Sequence, residues 1–177
     1  MQRAATGELL IMVSGPAEPV ARARPLLDAL ARSAPVIGDD PGDGQRMKLV
    51  NQLLCGVHIA AAAEALSFAE ALGLRPSQCW QVLREGAAAS FIFDDRGARM
   101  VAGQFGQVRS AMDIFVKDMG LVSEAAGQAG ASVPLATAAH QLFIRGHQLG
   151  MGRLDDSALI EVLRAERGAG GDLPSGR

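Results

Sequence analysis

The sequence predicts a mainly α-helical protein in which a short β-α-β segment precedes the helices. Apolar residues recur with a helical period from Gln45 onward, which predicts amphipathic helices. The chain has six Phe, one Trp and no Tyr, so its core must consist of Ala, Leu, Val, Ile and Met. These small and aliphatic side chains favour closely packed helices. A composition of 49% hydrophobic and 20% charged residues is typical of a globular protein.

The first forty residues follow a different pattern. The apolar run at residues 8–13 predicts a buried strand, Pro16 to Arg32 reads as a helix, and residues 34–38 predict a second strand. Strand, helix and strand in this order form a β-α-β unit. Two strands alone do not make a stable sheet, so this segment is interpreted as the end of a larger α/β domain.

The helices begin after a turn-rich break at residues 39–44. The first is expected from Gln45 to Leu72, buried on most sides and ended by Gly73. The later helices are predicted from their apolar spacing and their Ser, Pro and Gly boundaries. They are Gln78 to Arg84 with Ser77 as cap, about Ser90 to Met100, Met112 to Gln128 stopped by Gly127 and Gly130, Pro134 to Leu149, and Ala158 to Arg164 capped by residues 155–157. Residues 168–177 are rich in Gly and Pro and are expected to be a disordered tail.

Charge and hydropathy exclude several classes of partner. The net charge is -2 and no block of Lys and Arg is present, so nucleic-acid binding is not indicated. The longest uncharged apolar stretch, residues 49–63, is interpreted as too short and too polar to span a bilayer. No signal peptide is visible at the N-terminus. The sequence therefore predicts a cytoplasmic protein that does not bind a membrane.

Lys48 is the first candidate for chemistry. The chain has two lysines and fifteen arginines, and a buried Lys can lose its proton whereas Arg stays charged. Lys48 lies in the first turn of the long helix, and Asn51 and Gln52 follow three and four residues later on the same face. Such a group could exchange a proton with a substrate hydroxyl. The alternative is a solvated Lys at a helix start, with two surface amides.

Lys117 is the second candidate. It lies on a predicted amphipathic helix, directly before Asp118. Adjacent residues do not face each other on a helix, so the two charges are expected to have different partners. Lys117 could then meet a phosphate or a cofactor amide, and the alternative is an ordinary solvated pair. The three histidines have no metal-site spacing and are interpreted as packed or surface residues, so no metal site is predicted.

Residues 42–52, with the sequence GDGQRMKLVNQ, strongly resemble the catalytic segment of the β-hydroxyacid dehydrogenases, the family that includes 3-hydroxyisobutyrate dehydrogenase. Residues 64–69 continue the resemblance, and residues 115–121 look like the second Lys-Asp segment of the family. Residues 52–65 are most similar to the L-threonate dehydrogenase branch. The resemblance covers about residues 5–165.

The resemblance implies a role for each candidate residue. Lys48 would be the catalytic acid/base, and Asn51 would hold it and touch the substrate. Lys117 would contact NAD or NADP. The residues near the substrate would be Gln52, Ser90, Phe91 and Asp118. The fold implied is a helical domain of the 6-phosphogluconate dehydrogenase type, which pairs with a second copy in a homodimer or a higher oligomer.

The chain departs from the family at its start, where the resemblance implies a Rossmann domain with a Gly-rich dinucleotide fingerprint. Residues 1–41 are interpreted as the remnant of that domain, residues 42–167 as the helical catalytic and dimerisation domain, and residues 168–177 as the tail. The chain is thus expected to be an N-terminally truncated fragment that is inactive alone, with cofactor binding mostly in the other half. The predicted function is oxidation of a small 3-hydroxy acid, resembling 3-hydroxyisobutyrate or threonate, by an NAD(P)-dependent dehydrogenase. The alternative is a non-catalytic helical dimerisation module.

Overall fold

The structure, a computed structural model, describes residues 6–169 and divides the chain into two compact units, Met1–Gln52 and Leu53–Arg177. The predicted mainly α-helical fold class is confirmed. The helices are α1 (Ala17–Leu30), α2 (Asp43–Ala71), α3 (Pro76–Leu83), α4 (Phe91–Ala102), α5 (Met112–Ala129), α6 (Pro134–Gln148) and α7 (Leu159–Ala169). The strands are β1 (Leu9–Leu10), β2 (Val13–Ser14), β3 (Ala31–Ser33) and β4 (Val36–Gly38). The domain boundaries predicted from the sequence stay predictions.

The first unit contains the predicted β-α-β arrangement. β1 pairs with β3 and β2 pairs with β4, both in parallel. Each predicted strand is divided in two, and the second begins earlier than expected, at Ala31. The expectation of a buried first strand is wrong, because Leu10 is 56% exposed and none of the residues of α1 is buried. A pair of strands with one helix covers too little surface to bury its own apolar side chains.

The long helix α2 crosses from the first unit into the second, and its predicted burial on most sides is wrong. Its apolar residues do occur nearly all round, but Val50, Leu54 and Phe68 are 56%, 49% and 61% exposed, whereas Ile59 and Leu66 are completely buried. The exposed apolar positions recur at spacings of three, four or seven residues, which places them on one face of the helix. These positions are Met47, Val50, Leu54, Ala61, Ala65 and Phe68. We call them the apolar face of α2.

This helix also corrects an expectation about membranes. Among the described residues, α2 is long and apolar enough to cross a bilayer by length and composition, whereas the sequence predicts that residues 49–63 are too short and too polar to do so. Core helices of soluble proteins have the same length and composition, so this property alone does not indicate a membrane protein.

The second unit buries its core between the C-terminal part of α2 and the helices that follow. Phe115 of α5 stacks on Phe143 of α6 with ring centroids 5.2 Å apart. Two glycines allow a close approach: a Cβ at Gly56 would lie 2.3 Å from the sulfur of Met119, and one at Gly146 would lie 2.2 Å from the sulfur of Met112. The core is therefore built from aliphatic, Met and Phe side chains, as the composition predicts.

The helix boundaries show where local sequence signals decide and where they do not. Gly73 and Gly130 have positive φ and follow the ends of α2 and α5, whereas Gly127 lies inside α5 and does not stop it. Ser77 is not a cap, because α3 already begins at Pro76, whose fixed φ suits the first position of a helix. Ser90 does cap α4, since its Oγ accepts a hydrogen bond from the N–H of Phe93.

The last helix is longer than predicted. Asp155 caps a 3-10 turn at Asp156–Ala158, and α7 then continues to Ala169. Arg164 forms a bidentate ion pair with Glu70 on α2, and Arg167 adds a bond of 2.8 Å to the same carboxylate. These long-range ion pairs hold the final turns on α2. Residues 168 and 169 are therefore helical, and the rest of the predicted tail lies outside the described residues.

Candidate active site

The start of α2 is attached to the end of a strand in the first unit. Ser14, the last residue of β2, accepts hydrogen bonds through its Oγ from the backbone N–H groups of Gly42 and Gly44, at 3.3 and 3.0 Å. A Cβ at Gly44 would lie 2.2 Å from the carbonyl oxygen of Met12, so only glycine fits there. The first turn of α2, which carries Lys48, is thereby held against the strand. Sequence reasoning missed Ser14, although its place after an apolar strand and before Gly15 and Pro16 was a usable signal.

Lys48, Asn51 and Gln52 come together as the spacing predicts. The Nζ of Lys48 donates to Oε1 of Gln52 at 2.6 Å, and Nδ2 of Asn51 donates to the same oxygen at 2.9 Å. The side-chain oxygen of Gln52 therefore orients both the ammonium of Lys48 and the amide of Asn51. Lys48 is exposed, which agrees with the alternative of a solvated Lys at a helix start and not with a buried Lys in this chain. The reason is that this end of α2 lies in the first unit, where few side chains cover it.

Lys117 and Asp118 correct a second expectation. The two charges were expected to have different partners, but Nζ of Lys117 lies 2.6 Å from Oδ1 of Asp118. The flexible four-carbon stem of Lys allows its ammonium to reach the adjacent carboxylate, which helical spacing alone does not take into account. Asp118 is buried and Lys117 is 66% exposed in its side chain. The pair presents a positioned ammonium at the surface of α5.

Ser90 and Phe91 line an open cleft of about 410 Å³ in the second unit. Ser90 caps α4, and Phe91 is 61% exposed. The other lining residues are Arg84, Glu85, Ala89 and Asp94. Ser90, Phe91, Lys117 and Asp118 belong to the second unit, whereas Lys48, Asn51 and Gln52 belong to the first.

A buried carboxylate holds the loop that precedes α5. Asp155 is completely buried, and its Oδ2 accepts from the guanidinium of Arg99 and from the backbone N–H of Arg109, the latter at 2.9 Å. Its Oδ1 accepts from Oγ of Ser157 at 2.6 Å. The backbone adds a hydrogen bond of 2.9 Å from the N–H of Met112 to the carbonyl oxygen of Leu154. Asp155 thus joins α4, the loop and the start of α5, the helix that carries Lys117.

The pKa values of the two adjacent carboxylates, Asp155 and Asp156, shift in opposite directions. Burial alone would raise the pKa of Asp155, but hydrogen bonds from Ser157 and from the N–H of Arg109 outweigh it and hold this pKa below its ordinary value. Burial raises the pKa of Asp156, and the attraction of Arg96 only partly opposes the rise. Sequence reasoning recognised this segment as a helix cap and missed its link to α5. Among the described residues, no group of three or more His, Cys, Asp and Glu is arranged to hold a metal ion.

Comparison with known proteins places these features in a family. Residues 42–163 match the family described as NAD-binding of NADP-dependent 3-hydroxyisobutyrate dehydrogenase. The chain is 41% identical over 160 residues to L-threonate dehydrogenase of Cupriavidus necator. This alignment covers 90% of this chain and 54% of that protein. It is 32% identical to 2-(hydroxymethyl)glutarate dehydrogenase of Eubacterium barkeri, over 90% of this chain and 52% of that protein. The chain therefore spans about half the length of these relatives.

The fold agrees with the same family. The crystal structure of 3-hydroxyisobutyrate dehydrogenase from Salmonella typhimurium superposes with a TM-score of 0.86 at 41% identity, over 91% of this chain and 56% of that one. The cofactor class predicted from the sequence, NAD or NADP, is confirmed by the family description. This chain belongs to the 3-hydroxyisobutyrate dehydrogenase family, the β-hydroxyacid dehydrogenases that residues 42–52 resemble.

Proposed function

We propose that this chain supplies the helical part of an NAD(P)-dependent dehydrogenase that oxidises a small 3-hydroxy acid, with Lys48 as the acid/base. The observation that carries this proposal is that Lys48 and Asn51 both donate hydrogen bonds to the side-chain oxygen Oε1 of Gln52. The substrate is proposed to resemble L-threonate or 3-hydroxyisobutyrate, because proteins with these names are among the chain's relatives.

The proton is the part of the reaction that falls to Lys48. Oxidation of an alcohol removes a hydride from carbon and a proton from the hydroxyl oxygen. NAD(P), when bound, supplies the hydride acceptor. Lys48 takes the hydroxyl proton, and the side-chain oxygen Oε1 of Gln52 fixes the direction of its Nζ. Asn51 is proposed to donate a hydrogen bond to the substrate, and Gln52 to contact the same substrate. A general base must lie within hydrogen-bond reach of the proton it removes, which is the purpose of such positioning.

Lys117 is proposed to contact the cofactor from α5. Its ammonium is mostly exposed, and the buried carboxylate of Asp118 directs it without covering it. An accessible, oriented ammonium fits a phosphate or carboxamide oxygen of a dinucleotide. Ser90 and Phe91, which line the cleft, are proposed to lie near the substrate. Asp118 is proposed to lie near the substrate as well and to orient the ammonium of Lys117.

We propose that the chain pairs with a second copy of itself. A non-catalytic dimerisation module, the alternative function, would form the same pair. The apolar face of α2 supports this proposal, because large exposed apolar surfaces usually mark interfaces. We expect light scattering at micromolar concentration to give the mass of a dimer or a larger oligomer. A monomer at that concentration contradicts the proposal.

The enzymatic proposal is tested in a chimera that joins this chain to the portion of the Cupriavidus necator relative that it does not cover. We expect L-threonate-dependent reduction of NAD or NADP. Replacing Lys117 with Ala should raise the KM for the cofactor and leave kcat at saturation nearly unchanged, because the residue binds and does not react. Arg145→Ala, which removes an exposed cation of α6, is the control and should change neither constant. A folded chimera that reduces neither cofactor with L-threonate or 3-hydroxyisobutyrate contradicts the proposed function.

A further inference from the structure

The open cleft beside Ser90 contains a guanidinium that is held in place from two sides. Arg84, which follows the last residue of α3, lies over the ring of Trp80 with its central carbon 4.6 Å from the ring centroid. Its Nε lies 2.9 Å from Oδ1 of Asp94. This contact uses only Nε, so Asp94 does not engage the two terminal amino groups through it. Arg84 is therefore oriented before any ligand arrives, which lowers the entropic cost of binding.

Trp80, the platform for Arg84, is itself fixed. Its indole N–H donates to the backbone carbonyl oxygen of Asp94 at 3.1 Å. A Cβ at position 97 would lie 2.8 Å from the ring, so Gly97 is what lets the ring lie against α4. Trp80, Arg84 and Asp94 thus form one rigid group, which we call the Arg84 group.

The chemistry of the cleft lining selects among ligands. It combines one guanidinium with the carboxylates of Glu85 and Asp94, so its net charge is negative and a further carboxylate is disfavoured. The hydroxyl of Ser90 accepts from the N–H of Phe93 and keeps its own proton to donate. The cleft lining therefore contains both hydrogen-bond donors and acceptors. A ligand hydroxyl, which both donates and accepts, matches this lining better than a methyl group or an anion does.

We propose that this cleft binds the hydroxyl groups of a polyhydroxylated acid, and that the Arg84 group determines specificity for such a substrate over acids with a plain hydrocarbon tail. This inference rests on the proposed function, which supplies the hydroxy acid and its proximity to Ser90. Charge-assisted hydrogen bonds from Arg84 and to Asp94 provide the discrimination, because an apolar tail would displace water from both groups without replacing its hydrogen bonds, and would leave them only their contact with each other.

Trp80 is the only tryptophan of the chain, so its fluorescence reports directly on the Arg84 group. The full chain is titrated with L-threonate and with 3-hydroxybutyrate of the same C3 configuration, which has the same carbon chain and lacks the hydroxyls at C2 and C4. We expect a saturable change with L-threonate and an apparent Kd at least about tenfold higher for 3-hydroxybutyrate, since losing one charge-assisted hydrogen bond costs about 1.5 kcal/mol or more. Equal affinity for the two acids overturns the proposal. So does tighter binding of 2-(hydroxymethyl)glutarate, which would indicate an anion site.

Variants separate the Arg84 group from the general surface of α3. Arg84→Met keeps the stem against Trp80 and removes the donors, so it should abolish the preference for L-threonate. Arg75→Met, at the other end of α3, is the matched control and should preserve it. If circular dichroism shows that Arg84→Met does not fold, Arg84→Lys is used, and it should reduce the preference because a single ammonium replaces the planar fork. An unchanged preference in either folded Arg84 variant overturns the proposal.

The titration needs neither cofactor nor turnover, so its outcome is separate from that of the proposed function. A selective Trp80 response together with an inactive chimera contradicts the dehydrogenase and supports the cleft. An active chimera in which Trp80 does not distinguish the two acids contradicts the cleft alone.

Discussion

Replacing Lys48 with Arg is expected to lower kcat about 100-fold or more in the chimera, the usual scale of general acid–base catalysis. Arg keeps the positive charge but cannot accept the hydroxyl proton at any working pH. The KM for the cofactor should change little, because the hydrogen bonds of Lys48 are to Gln52 within its own helix. The measurement is steady-state turnover with L-threonate across the pH range.

A matched control lies two residues earlier on α2. Arg46 is exposed and pairs with Asp40 and Asp43, so Arg46→Lys keeps its charge and should leave kcat near the wild-type value. Near-normal turnover of Lys48→Arg at every pH would mean that Lys48 acts only as an electrostatic anchor, and the acid/base assignment would be wrong.

Replacing Asp155 with Ala is expected to lower the free energy of unfolding by about 3–5 kcal/mol, the range observed when one partner of a buried ion pair is removed. Asp155 is completely buried, and its loss leaves Ser157 and the N–H of Arg109 without this acceptor. It also removes one of the carboxylates that pair with Arg99, which keeps its contact with Asp95. Urea denaturation gives the value. Glu161→Gln, which removes one end of a partly exposed ion pair on α7, is the control and should cost about 1 kcal/mol or less.

The pH dependence of a substitution at the same position has a defined sign. Because the pKa of Asp155 is lower in the folded chain than in the unfolded one, its contribution to stability is complete above the unfolded pKa, near 3.9. This contribution is lost as the pH falls through the folded value. The difference in stability between the wild type and Asp155→Asn should therefore shrink in acid. If the difference in the free energy of unfolding between the two proteins stays constant from pH 7 down to acid pH, this explanation is contradicted.

Most of the fold could be predicted from the sequence because its signals are local. The helical period defined α2 and α5 to within two residues, and Gly73, Pro134 and Ser90 marked boundaries through backbone geometry that each residue type prefers. The length of α7 could not be predicted, because ion pairs from Arg164 and Arg167 to Glu70, nearly a hundred residues away, hold its last turns. The exposure of the apolar side chains of the first strand and of α2 could not be predicted either, because it depends on which other elements pack against them.

The candidate site divides in the same way. The grouping of Lys48, Asn51 and Gln52 follows from helical spacing and was predicted. The pairing of Lys117 with Asp118 was not predicted, because it depends on the side-chain conformation of a flexible Lys. The Arg84 group was not predicted either. It joins residues of α4 to Trp80 and Arg84, fourteen and ten residues earlier than Asp94, and no motif marks that contact.

Chemical rescue of Lys48→Ala tests the central claim most directly. The chimera carrying this variant is assayed with L-threonate in the presence of small primary amines of different basicity. Lys48 is exposed in the structure, so a small amine can reach the position that its ammonium leaves. If Lys48 transfers the proton, kcat should fall about 100-fold or more and then rise with amine concentration, more steeply for the more basic amines. Turnover that the variant retains without amine, or a loss that no amine restores, would contradict the assignment of Lys48 as the acid/base.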